Sequence, residues 1–135
     1  ERTRPRNGST RLVHGSFYPR HVLDLGDASG VIDWEQFGQG PAELDAGEFL
    51  AATARIGLAY EPHTAEAARA TEAFLAATAD LLDEQALTWY RVASLVRLAN
   101  KRTRRPGDDP ALGLPLLNEA TRLADAAGMN AEVMR

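Results

Sequence analysis

The chain has no cysteine. That excludes a disulfide framework, thiolate chemistry and cysteine-ligated metal centres, and it fits a cytoplasmic protein. No apolar run approaches the roughly 20 residues that span a bilayer, so no membrane partner is expected. Neither a secretory leader, an internal repeat, a low-complexity tract nor a nucleophile-elbow motif is visible. Lysine is nearly missing too. Fourteen of the fifteen basic residues are arginine, a bias of the kind that genome composition produces. Arg2, Arg4 and Arg6 lie in an opening stretch without aromatic interleaving on a chain of net charge −4, so no nucleic acid is expected as a partner.

What is present is one domain's worth of sequence, 135 residues and 44% hydrophobic, enough to bury a core. Its sharp chemical features all fall between Leu12 and Asp45. Arg11-Leu12-Val13 reads as a short strand entering His14-Gly15-Ser16, where glycine permits a tight turn. His21 to Leu25 and Val31 to Trp34 read as two strands joined by the turn Gly26 to Gly30. Asp33, between Val31-Ile32 and Trp34, is a carboxylate in an apolar setting that needs a cation or several donors, and a metal is one way to supply them. Gln36 to Leu44, with Gly38, Gly40 and Pro41, reads as a loop.

This window resembles the aminoglycoside phosphotransferase and choline kinase-like family, whose fold is that of the protein kinases. His14-Gly15-Ser16, four residues, His21 stands where that family has a catalytic loop His-Gly-Asp, four residues, Asn. Ile32-Asp33-Trp34-Glu35 matches its magnesium-binding segment, and Gly40 with Asp45 matches its Gly-Asp-Pro-x-x-Asp element, Pro41 arriving one residue early. The resemblance implies that Ser16 and His21 occupy the catalytic positions and that Asp33, helped by Glu35, holds magnesium. It also implies that His14 and Asp45 are structural, with Asp45 holding the loop through its backbone. Ser16 replaces the residue that accepts the substrate hydroxyl proton, and His21 replaces a ligand of the second magnesium ion. Serine is no base near neutral pH and imidazole is a poor ligand for magnesium, whereas a histidine can itself act as a base.

The remainder is helical. Asp45 is placed to cap a first helix ending near Gly57, and Thr64 a second from Ala65 to Leu82 with Ala67, Ala70, Phe74, Ala77 and Leu81 on one face. Asp83 is placed to cap a third from Glu84 to about Thr103, apolar around so much of its circumference that a central, mostly buried helix is expected. Lys101 to Arg105 would complement its C-terminal dipole before Pro106-Gly107 stops it. A last helix, broken or delayed by Gly113 and Pro115, runs to a Gly128 cap. The expected fold class is therefore α+β, mainly helical: a kinase-like C-terminal lobe over residues 11–128, divided at 45, between a linker or frayed terminus at 1–10 and a tail at 129–135.

By resemblance, the expected function is that of the C-terminal lobe of an ATP-dependent small-molecule phosphotransferase acting on a hydroxyl substrate, with ATP and Mg2+ as cofactors. Only thirteen residues precede His14, and they hold no Gly-rich loop, strand lysine or partner glutamate of a kinase small lobe. The small lobe is then missing or on a partner chain, and this chain alone is expected to be inactive. The alternative is a degenerate relative that binds a ligand or partner without turnover. Apolar groups around Phe17, Tyr18 and the hairpin from Val22 to Trp34 would stand uncovered, which favours self-association into a homo-oligomer.

Overall fold

The computed structural model describes residues 10–102 and 110–129. Most of the expected linker at 1–10 and tail at 129–135, and the basic cluster from Lys101 to Arg105 with the Pro-Gly stop after it, lie outside the described residues or their described side chains.

Two small antiparallel ladders precede the helices. β1 (Arg11–Val13) pairs with β4 (Gly38–Gly40), Leu12 standing opposite Gln39. β2 (Val22–Asp24) pairs with β3 (Ser29–Val31), Leu23 standing opposite Gly30. The hairpin is shorter than its sequence suggests. Pro19–His21 forms a 3₁₀ turn, so His21 precedes the strand, and Ser29 and Gly30 belong to β3 and not to the turn. Asp33 lies beyond β3 in the left-handed region at φ 68°, ψ 52°, and Trp34–Gln36 makes a second 3₁₀ turn. The stretch read as a loop from Gln36 to Leu44 thus contains a turn, a strand and a helix start. Gly-Gln-Gly has no strand propensity of its own; pairing with β1 imposes the extended conformation.

α1 (Ala42–Ala59) starts after Pro41, whose ring presets φ at −71°. Asp45 is the fourth helical residue and not the cap, and Gly57 lies inside the helix. The helix survives Gly57 because α2 (Thr64–Thr78) crosses there, with Thr64 Oγ1 donating to Gly57 O at 2.9 Å. That bond takes the hydroxyl read as a cap. The expected α2 face buries little. Ala67 is buried and Phe74 half-buried, while Ala70 and Ala77 are exposed and Leu81 lies beyond the helix end, 70% exposed.

α3 (Glu84–Arg102) is capped by Asp83, whose Oδ1 accepts from Ala86 N at 2.7 Å. The Asp83 amide in turn donates to buried Glu43 of α1 at 2.9 Å. α3 lies between α1 and α4 (Gly113–Ala126), but it is not buried all round as expected: it buries one stripe, Leu87, Tyr90, Leu95, Leu98 and Ala99, while Val96 is 45% exposed. α4 is not delayed. Pro115 falls in its first turn, where a missing N–H costs nothing. Gly128 at φ 67° closes it, with Gly128 N bonded to Asp125 O and Met129 N to Ala124 O.

The core has two parts. Ala51, Leu95, Leu98, Ala99, Leu116 and Ala120 join α1, α3 and α4, and Ala46, Leu50 and Leu87 meet half-buried Phe74 and Leu82. Gly47 lets α1 and α3 touch backbone to backbone: a Cβ there would stand 2.7 Å from Arg91 N. Arg91 is pressed below the ordinary guanidinium range, first by burial, while Glu119 of α4 is held below the usual carboxylate range, first by its hydrogen bonds from Arg122.

Candidate functional site

The loop from His14 to His21 joins β1 to β2 and is pinned from below. Asp45 Oδ2 accepts from His14 N at 2.6 Å and Oδ1 from Gly15 N at 2.9 Å. Helical side chains lean toward the N-terminus of their helix, so a carboxylate in the first turn of α1 reaches back to these amides. Gly15 makes the turn at φ 77°.

His14 is 2% exposed. Its Nε2 lies 2.8 Å from Ile32 O, and its ring meets Trp34 at 4.7 Å and His21 at 5.5 Å. His21, 3% exposed, has Nδ1 at 2.8 Å from Ser16 O, while its own carbonyl accepts from Ile32 N at 3.0 Å. A carbonyl only accepts, so each contact places the ring hydrogen: on Nε2 in His14 and on Nδ1 in His21. Two adjacent histidines are therefore expected in opposite neutral tautomers. Long-range ¹H–¹⁵N correlation spectra of the imidazoles check this, and a shared tautomer would break one of the two assignments.

With hydrogen on Nδ1, His21 presents its Nε2 lone pair. Two groups compete for it: Arg20 Nε, a donor at 3.0 Å, and Asp33 Oδ2 at 3.1 Å, an acceptor that needs a proton on Nε2. The neutral ring satisfies the arginine and the charged ring satisfies Asp33. Asp33 reaches this place because its left-handed backbone turns the chain out of β3, a conformation that Asp tolerates better than most residues. Its side chain is 44% exposed, open to an incoming group.

The structure brings together Ser16, through its carbonyl, with His14, His21, Asp33 and Asp45. Glu35 is exposed in the 3₁₀ turn beyond Asp33, and no group of three or more potential metal ligands occurs among the described residues. The donor set offers one ligand suited to a hard cation, the half-open Asp33 carboxylate. It does not offer a second at His21, an imidazole already engaged by Ser16.

Sequence reasoning missed a support beneath the loop. Arg97 of α3 is paired with buried Glu48 of α1 and donates to Tyr18 Oη at 3.1 Å. Tyr18 lies edge-on to the His21 ring at 5.5 Å and under the Arg20 guanidinium at 4.9 Å. The available signal was Glu48 itself, a charge flanked by Gly47 and Phe49 and three residues before Ala51, in phase with buried positions.

A family model described as the phosphotransferase enzyme family matches residues 1–78. The chain belongs to that family. The match ends at the last residue of α2, so it contains the whole loop, both ladders and α1, whereas α3 and α4 lie beyond it. No curated protein and no solved structure matches the chain. Among the described residues, no helix of this phosphotransferase-family chain is long and apolar enough to cross a membrane.

Proposed function

We propose that this chain is the kinase-like C-terminal lobe of an ATP-dependent phosphotransferase acting on a small-molecule hydroxyl, with residues 11–45 as its site region and 45–128 as its helical support. The observation that carries this reading is the convergence of Asp33 and His21 at 3.1 Å on a loop anchored by Asp45. Asp33 would hold one magnesium ion, which would supply neutralisation of phosphate charge. Glu35 is positioned no further than the rim.

The chain's own residues do the rest. Asp45 and the Gly15 turn fix the loop, Ser16 O orients the His21 ring, and Arg20 or the acceptor hydroxyl occupies Nε2. In the reaction the acceptor oxygen forms its bond to the γ-phosphorus as the bond to ADP breaks. His21 Nε2 takes the hydroxyl proton, and the imidazolium formed pairs with Asp33. Phosphoryl transfer depends mostly on positioning and charge, so Ser16 in place of a carboxylate lowers the rate without removing the route.

Calorimetric titration of ATP into residues 1–135, with and without magnesium, tests the site. Expected are magnesium-dependent binding that Asp33→Asn removes and no ATP consumption, since this stretch carries no Gly-rich phosphate loop or strand lysine. Binding indifferent to magnesium and to Asp33→Asn would remove the site; turnover abolished by Asp33→Ala would show that the lobe suffices alone. One observation favours a second reading, a relative that binds without turnover: Ser16 stands where the family has the carboxylate that accepts the hydroxyl proton.

A further inference from the structure

The contact between His21 and Asp33 carries a conflict that the described residues leave unresolved. His21 Nε2 has a donor, Arg20 Nε, at 3.0 Å and an acceptor, Asp33 Oδ2, at 3.1 Å, and no single charge state of the ring satisfies both. Arg20 makes no ion pair with Asp33 among the described residues. A lone pair on Nε2 and a carboxylate oxygen beside it have one partner in common, a metal cation that accepts electron pairs from both.

The ring is held as a ligand is held. Its Nδ1 hydrogen goes to Ser16 O at 2.8 Å, the arrangement in which a backbone carbonyl fixes the tautomer of a metal-binding histidine and aims the other nitrogen at the ion. His14 and Tyr18 pack on the buried ring at 5.5 Å each, so its orientation is set before anything binds. Arg20 Nε covers the Nε2 lone pair, and Arg20 is exposed, so one solvent-facing side chain, not the core, closes the approach beside the half-open Asp33. The separation fits as well. Ligands about 2.1 Å from an ion stand about 3.0 Å apart at a right angle and about 3.4 Å apart at the tetrahedral angle. The 3.1 Å found here suits neighbouring ligands on one octahedral ion.

We propose that His21 Nε2 and Asp33 Oδ2 form a two-ligand site for a divalent first-row transition ion, seated in place of Arg20, with water in the remaining positions. Imidazole decides the class: magnesium gains little from a nitrogen ligand, whereas mixed nitrogen and oxygen ligation favours the transition series. The site stands on this geometry and not on the phosphotransferase reading, under which an ion on Nε2 would take His21 out of its role as base. His63 and Glu66 are a second histidine–carboxylate pair and serve as an internal control. They stand 3.6 Å apart with both side chains mostly exposed, and no hydrogen bond holds that ring among the described residues.

Calorimetric titration of Co2+ and of Mg2+ into untagged residues 1–135, with the histidine rings followed by ¹⁵N NMR, tests the site. Co2+ is expected to bind about tenfold tighter than Mg2+ or better, and to broaden the His21 ring resonances before those of His63. His21→Asn and Asp33→Asn should each weaken Co2+ by about tenfold or more. Arg20→Gln removes the competing donor and should tighten it. The α3 and α4 amide signals report whether each variant keeps its fold; Asp33→Asn and Arg20→Gln alter half-open or exposed side chains and carry the test if His21→Asn unfolds. Equal affinities for the two ions, broadening that begins at His63, or Co2+ binding unmoved by Asp33→Asn or by Arg20→Gln would overturn the proposal. Co2+ bound at His21 without magnesium-dependent ATP binding would uphold this site and remove the phosphotransferase reading; ATP binding lost in Asp33→Asn without a preference for Co2+ would do the reverse.

Discussion

Gly15→Ala is expected to destabilise the protein by about 3 kcal/mol or more, lowering the thermal midpoint by roughly 10 °C for a chain of this size. Two costs combine. The backbone at φ 77° is unfavourable for any residue with a Cβ. The added Cβ would also stand 2.1 Å from Gln36 O and 2.9 Å from Gln36 C, atoms of the main chain that cannot rotate away. Relief requires the loop to part from the turn Trp34–Gln36, separating His21 from Asp33. Hydrogen exchange should therefore show the His14 and Gly15 amides losing protection along with the fall in midpoint. A midpoint lowered by less than about 2 °C would mean that the turn accommodates a methyl group and does not anchor the site.

Asp45→Ala is expected to cost about 3 kcal/mol, because it removes two charge-assisted hydrogen bonds and leaves the amides of His14 and Gly15 without acceptors. Asp45→Asn keeps one acceptor oxygen and the shape, and should cost about half as much. The two positions share one contact, so combining Gly15→Ala with Asp45→Ala should destabilise by less than the sum of the single changes. Guanidinium unfolding of the four proteins measures this. Strict additivity, or an unchanged midpoint in Asp45→Ala, would show that the carboxylate does not hold the loop.

The exposure expected of the hairpin is present in part. Leu23 at 38%, Ile32 at 46% and Trp34 at 42% stand open, but Phe17 and Tyr18 are half-buried. Phe17 stacks on Phe49 at 5.3 Å, and Tyr18 is tied to Arg97. Loop aromatics next to a proline look like surface in a sequence; here the α1 and α3 residues that cover them come from more than thirty positions away in the chain.

What the sequence by itself determined is whatever depends on neighbours a few residues apart. The existence of four helices among the described residues, the Asp83 cap and the Gly128 stop follow from periodicity and capping, which act within one or two turns. The motif residues were legible for the same reason, as short strings. Tertiary structure alone decided the rest. β4 is a strand because β1 lies beside it, α1 begins ahead of Asp45 because that carboxylate serves the loop amides, and Thr64 bonds Gly57 because two helices cross there. His21 and Asp33 meet through a hairpin register and a left-handed residue. Each of these pairings joins groups distant in the chain, and its free energy exists only once the chain has folded, so no local pattern could encode it.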